Sequence, residues 1–287
     1  MSAAGLAAAI LSSLCWSGLD ATRKVLSARL SAVVVVVWLS LGQAPLFAAW
    51  AAAEGRWIDG PGYLLPGLGS TALQVAANLL FVRAVHLSPL SLSVPFLSLT
   101  PVFTTIVAVP MLGEHATALQ WVGIVAVVAG ALLINAHRGH SLLGALLREP
   151  GSVLMIGVAA IWSFTAALDK MALRHASVGA HATVQTGGVA VVLLVWLIAM
   201  RRLGTLRRMW PVDRPQAAAI FFAAGALGLQ LLAFRLLMVG LVETLKRAVG
   251  VIASVAIGRV AFTEPITRPK VAAVVLMTVG TVLVTWT

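Results

Sequence analysis

The chain has 287 residues, 60% of them hydrophobic and only 10% charged, with a mean hydropathy of +1.01. Soluble domains carry about 25% charged residues, so this composition leaves too little polar surface to solvate a globule and defines a polytopic membrane protein. The net charge of +11 does not point to nucleic acid, because no soluble domain is left to bind it; it places Lys and Arg in loops on the non-translocated side, against anionic headgroups.

A spanning helix needs about 20 mostly apolar residues, and ten such stretches follow in order. The first covers residues 3–25, with Asp20, Arg23 and Lys24 in its last turns. It begins without a basic leader, which points to a retained helix rather than a cleaved signal. Its Cys15 is the only cysteine, so no intramolecular disulfide or cysteine metal site can form. The second stretch is 30–53 and the third 63–82, ending at Arg83. The fourth, 87–113, holds Pro89, Pro95, Pro101 and Pro110, and the fifth is 116–136. A linker follows, then the sixth (151–173), the seventh (176–200, with His181 and Gln185), a loop with five arginines, the eighth (215–237), the ninth (243–262) and the tenth (269–287).

The two halves echo each other. Trp16-Ser17 returns as Trp162-Ser163, Gly113-Glu114 as Thr263-Glu264, and Gly130 as Gly280; Asn78 and Arg83 share the spacing of Gln230 and Arg235. The chain divides into a repeat over 1–138, a linker over 139–150 and a second repeat over 151–287. Five helices is an odd number, so consecutive copies take opposite orientations. The fold class is therefore an all-α membrane protein of ten transmembrane helices, two inverted five-helix repeats around a central cavity, as in secondary transporters.

The mid-helix tryptophans, the string Leu97-Ser98-Leu99-Thr100-Pro101-Val102-Phe103 closing on Leu112-Gly113-Glu114, and the glycine-bearing fifth helix resemble the EamA-type branch of the drug/metabolite transporter superfamily. The resemblance spans essentially the whole chain. It implies a basket-like fold with a central cavity and export or exchange of small metabolites. The chain departs from the pattern at Val251, where the second copy lacks a proline, at Thr263 before Glu264, and in its unusually charged Glu243-Thr244-Leu245-Lys246-Arg247 run.

Candidate substrate-binding residues are Trp16, Asp20, Gln74, Asn78, Trp162, Gln230, Glu243, Lys246 and Arg247. Glu243, Lys246 and Arg247 share a helical face. They read either as a cavity mouth drawing an anionic or zwitterionic solute, or as a helix cap with snorkelling bases. Asp20 is a coupling carboxylate or an interfacial ion pair; Asp169, beside Lys170, reads as an ion pair at a helix end. Gln74, Asn78 and Gln230 line a cavity or glue helices together. Trp16 and Trp162 lie mid-helix, where a membrane-belt role fails. Glu114 and Glu264 read as structural, each closing its own helix turn. His137 and His140 lack a third ligand, so no metal and no cofactor is expected.

The expected function is secondary transport of a small polar metabolite by alternating access in the cytoplasmic (inner) membrane, with proton or ion coupling and no nucleic-acid partner. One alternative is a carrier of a phosphorylated or lipid-linked anionic solute, favoured by Lys246 and Arg247. Another is an integral-membrane enzyme, which the scattered histidines and missing catalytic motifs disfavour. Counting Lys and Arg by loop puts both termini outside, whereas the resemblance implies cytoplasmic termini.

Overall fold

The computed structural model describes residues 2–26, 28–88, 94–136, 150–262 and 268–286. Within them run ten α-helices: α1 (Ala3–Leu26), α2 (Ala32–Glu54), α3 (Leu64–Leu87), α4 (Thr100–Leu112), α5 (Ala118–Ala136), α6 (Pro150–Ala172), α7 (Val178–Ala199), α8 (Arg214–Leu236), α9 (Val239–Phe262) and α10 (Arg268–Thr285). Short 3₁₀ segments, Pro61–Tyr63 and Val94–Leu99, lead into α3 and α4. Residues 89–93, the histidines at 137 and 140 with the rest of the linker to 149, and Thr263-Glu264 lie outside the described residues.

Among the described residues, six stretches are long and apolar enough to cross a bilayer: Ala3–Arg23, Ala32–Glu54, Pro61–Phe81, Pro150–Ala172, Val178–Ala199 and Arg214–Leu236. Shorter apolar stretches, Phe96–Leu112, Ala118–Leu133 and Val271–Thr285, come from the fourth, fifth and tenth helices. Large apolar side chains such as Leu65, Val125, Val195, Phe221 and Val275 stand exposed on the outer faces. In water such a surface would aggregate; in a bilayer it meets lipid.

Two boundaries differ from the sequence expectation. The fourth helix begins at Thr100 rather than 87, because α3 runs on to Leu87 and Val94–Leu99 is a 3₁₀ turn. Pro95 and Pro101 explain the late start, since a proline inside a helix removes a bond and clashes with the preceding turn. The ninth helix begins at Val239, not 243. Glu243 is therefore beyond the first turn, and the capping role considered for it does not hold.

Helix pairing crosses between the halves. α1 packs along α8 and α9, α3 along α6, α2 along α7, α4 along α6 and α9, and α5 along α10. The α5–α10 crossing is as close as backbones allow. A Cβ on Gly123 would stand 2.6 Å from the Gly280 carbonyl oxygen, and one on Gly280 would stand 2.7 Å from that of Gly123. Small residues at a crossing let dispersion contacts accumulate where lipid offers no hydrophobic drive.

Two faces result. On one, Glu114 after α4 meets Lys170 of α6 and the α8–α9 turn, and Ile58 bridges to Ala176 between the α2–α3 and α6–α7 connections. On the other, Arg29 between α1 and α2 pairs with Asp213, the N-cap of α8. These are called the Glu114 face and the Arg29 face below.

Candidate functional site

Charges inside a membrane protein are tolerated where they pair or meet water. Here α1, α8 and α9 converge to build such a place. Trp16 Nε1 donates to Gln230 Oε1 at 2.8 Å. Gln230 Nε2 donates to Glu243 Oε1 at 3.3 Å, and Lys246 Nζ reaches the same oxygen at 2.6 Å. Lys246 Nζ also stands 3.4 Å from Gln230 Oε1 and 5.5 Å from the Trp16 ring centroid. The i, i+3 spacing on α9 makes the ion pair; the indole face supplies a second, cation–π contact.

Glu243 is buried, whereas the Lys246 side chain keeps 24% of its exposure. Toward the Arg29 face the site opens further. Asp20, one turn past Trp16, is exposed and pairs with Arg23 at 3.6 Å, and the Arg23 guanidinium lies 5.7 Å from the Trp16 ring centroid. Arg247 and Lys246 both lie in electrostatic reach of Asp20. Arg247 Nη2 donates to the Leu97 carbonyl at 2.7 Å, while its buried Nε finds no acceptor among the described residues. Trp162 stacks on Phe81 in the same apolar cluster as Leu97, and its buried Nε1 is likewise unpartnered. Buried donors without a described partner are costly unless an acceptor visits them.

Of the nine residues expected to bind substrate, the structure brings Trp16, Gln230, Glu243 and Lys246 into direct contact, with Asp20 and Arg247 at the edge. Trp162 stacks on Phe81 in a neighbouring apolar cluster. Gln74 and Asn78 stand on α3, where Asn78 Nδ2 donates to the Gln74 backbone oxygen at 2.8 Å.

The Glu114 face holds two clusters that the sequence reading missed. Asp169 is no helix-end ion pair: it is buried and accepts from Ser70, Gln185 and His181, while its neighbour Lys170 pairs with Glu114 at 2.6 Å. Glu114 closes its own turn through its backbone amide, which donates to the Ala108 carbonyl at 3.3 Å, and its side chain does more. Its second carboxylate oxygen accepts the Val239 amide at 2.9 Å, capping α9 from another helix end. A recess of ≈ 470 Å³ lined by Lys170, Arg235, Met238 and Leu241 lies beside this pair, away from Trp16. The signal for Asp169 was His181 and Gln185, spaced i, i+4 on an otherwise apolar helix.

A ten-helix membrane bundle with charges of both signs between its halves has the construction of a solute transporter. Residues 3–136 match the EamA-like transporter family. A probable 4-amino-4-deoxy-L-arabinose-phosphoundecaprenol flippase subunit ArnE from Yersinia pseudotuberculosis serotype O:1b (strain IP 31758) is 39% identical over 59 residues, 21% of this chain and 52% of that protein. The counterpart from Yersinia pestis (strain Pestoides F) matches to the same extent. The chain thus spans about half the length of the curated relatives it matches. One crystal structure superposes on 100% of this chain and 98% of its own with a TM-score of 0.78 at 17% identity, which shows a shared fold.

Proposed function

We propose that the chain is a secondary active transporter of a small polar metabolite in the cytoplasmic membrane. It works as an exporter or exchanger by alternating access between two inverted repeats, 1–138 and 151–287, joined by the 139–150 linker. The observation that carries this reading is the Trp16–Gln230–Glu243–Lys246 cluster, built from both halves and reached from one face. The helix pairing supports the repeat plan. Exchanging each helix for the one five places on turns α1–α8 into α6–α3 and α1–α9 into α6–α4, and leaves α2–α7, α4–α9 and α5–α10 unchanged. Such a two-fold relation is what inverted repeats produce.

The exposed Asp20 with the half-buried Arg23 beside it supports access from the Arg29 face, and the covered Glu114–Lys170 pair supports closure at the Glu114 face. Substrate acceptors would meet Lys246 and the free N–H groups of Arg247 and Trp162; an amine would meet Glu243 or Asp20. A second reading, transport of a phosphorylated or lipid-linked anion, is favoured by the flippase subunits among the relatives and by the Lys246/Arg247 pair.

The test is ligand-induced thermal stabilisation of the purified protein across a panel of amino acids, sugar phosphates, nucleosides and polyprenyl phosphates. A solute that binds only the folded state raises Tm by mass action. Stabilisation by an amino acid or nucleoside, lost in Lys246→Ala/Arg247→Ala, supports the first reading. Stabilisation by the phosphates alone supports the second. Binding that survives the double substitution removes the cluster from the site.

A further inference from the structure

Asp169 lies inside the bundle with no lysine or arginine among its described partners. Its Oδ1 accepts from Ser70 Oγ at 2.5 Å, from Gln185 Nε2 at 3.0 Å and from His181 Nε2 at 3.0 Å. His181 Nδ1 is 3.0 Å from the Tyr63 hydroxyl. All five side chains are buried. Among the described residues no donor reaches Asp169 Oδ2.

The proton inventory follows from the donors. A carboxylate only accepts, so His181 Nε2 carries the hydrogen and Nδ1 accepts from the Tyr63 O–H. Every described bond is then made, but the network holds one negative charge with no lysine or arginine among its described partners. One added proton removes that charge, seated on Asp169 Oδ2 or on His181 Nδ1. On Oδ2 it turns three charge-assisted bonds into neutral ones of about half the strength. On Nδ1 it forces the Tyr63 hydroxyl to accept, leaving its own hydrogen without a partner.

The bonds at stake join the two halves of the chain. Tyr63 and Ser70 lead into and belong to α3; Asp169, His181 and Gln185 belong to α6 and α7. We propose that Tyr63, His181 and Asp169 form a proton-binding site that latches α3 to α6 and α7 when empty and releases them when loaded. Proton uptake would favour opening of the Glu114 face. The role in coupling rests on the transporter reading above; proton binding itself does not.

The remaining titratable groups on the surrounding elements are engaged elsewhere. Lys170 is held by Glu114 and the Leu237 carbonyl. His175 packs against Gly62. From α2, Phe47 and Ala51 face the start of α7, and α4 carries no titratable side chain. Arg235 of α8 is exposed, and Glu243 and Lys246 of α9 bond each other.

Ala180, fully buried beside Tyr63 and Ala51, reports on the latch. In the full chain carrying Cys15→Ala and Ala180→Cys, in lipid nanodiscs, modification by a water-soluble maleimide is measured relative to a small free thiol at each pH. The relative rate is expected to rise about tenfold on acidification, since local opening sets the access of a buried thiol. Asp169→Asn is expected to label fast throughout and Tyr63→Phe to shift the profile. On acidification an infrared carboxylic-acid band should appear that Asp169→Asn lacks. A flat labelling profile, or an acid band that survives Asp169→Asn, overturns the proposal. Titration without uptake of any solute would remove the transporter reading and leave the proton site standing.

Discussion

Glu114 and Lys170 lie 2.6 Å apart across the ends of α4 and α6, each with most of its side chain covered. The pair also completes two helix termini. Glu114 takes the free amide of Val239 at the start of α9, and Lys170 takes the Leu237 carbonyl just past α8 at 2.5 Å. Helix ends leave such groups unpaired, and here a salt bridge from other helices satisfies them. Removing one partner strands a charge. Glu114→Ala is expected to cost about 2–3 kcal/mol, below the full cost of breaking a deeply buried pair because some exposure remains. Lys170→Met on top of it should recover part of the loss. Thermal denaturation of both single variants and the double variant in one detergent checks this; strictly additive losses would contradict it.

Trp16 and Gln230 are 214 residues apart and hold each other in one orientation. Gln230→Leu leaves the indole N–H without a partner and takes one donor from the Glu243 carboxylate, which keeps Lys246, at about 1–3 kcal/mol for the buried indole N–H. Trp16→Phe removes the donor itself and should cost less, so the double variant is expected to fall short of the sum. The readout is again the melting temperature, combined with tryptophan emission. A red shift in Gln230→Leu that is missing in the Trp16→Phe background would assign the change to Trp16.

Ten segments were visible in the sequence because a membrane span must satisfy its backbone internally over a fixed thickness. The errors came where tertiary contacts set the ends. α9 starts at Val239, whose amide is capped by Glu114 from a distant helix end, while sequence alone suggests a start at the first charge, Glu243. The Glu243–Lys246 pair was legible from its spacing; its Gln230 and Trp16 partners come from helix packing. Asp169 beside Lys170 looked like an interfacial pair because neighbours in sequence dominate local reasoning. In the fold the two side chains point to different neighbours, one to α3 and α7 and the other to Glu114.

Gly123 and Gly280 meet backbone to backbone, so any Cβ there collides with a carbonyl oxygen that cannot yield, as well as with a valine methyl. Gly280→Ala is expected to destabilise by about 1–3 kcal/mol, the cost of overpacking, and Gly280→Val by more. Gly204, where an added Cβ meets nothing within 4 Å, is the control: Gly204→Ala should leave the melting temperature unchanged. Equal effects at 204 and 280 would mean that the α5–α10 crossing is looser than described.

Asp213 caps α8: its carboxylate accepts from the Gln216 amide, while the Gln216 side-chain oxygen accepts from the Asp213 amide. It also pairs with Arg29, and that hydrogen bond holds its carboxyl below the usual carboxylate range. A carboxyl with a depressed folded-state pKa stabilises the fold above its unfolded value, about 3.9, and loses that contribution as pH falls through the folded value. Asp213→Asn keeps the cap, because asparagine serves at this position as well as aspartate, but removes the charge. The melting temperature of wild type should therefore exceed that of Asp213→Asn at neutral pH, and the gap should close on acidification below about pH 4. Arg29→Ala should close it at every pH. A gap that stays constant down to about pH 3 would assign the difference to the cap rather than to the ion pair.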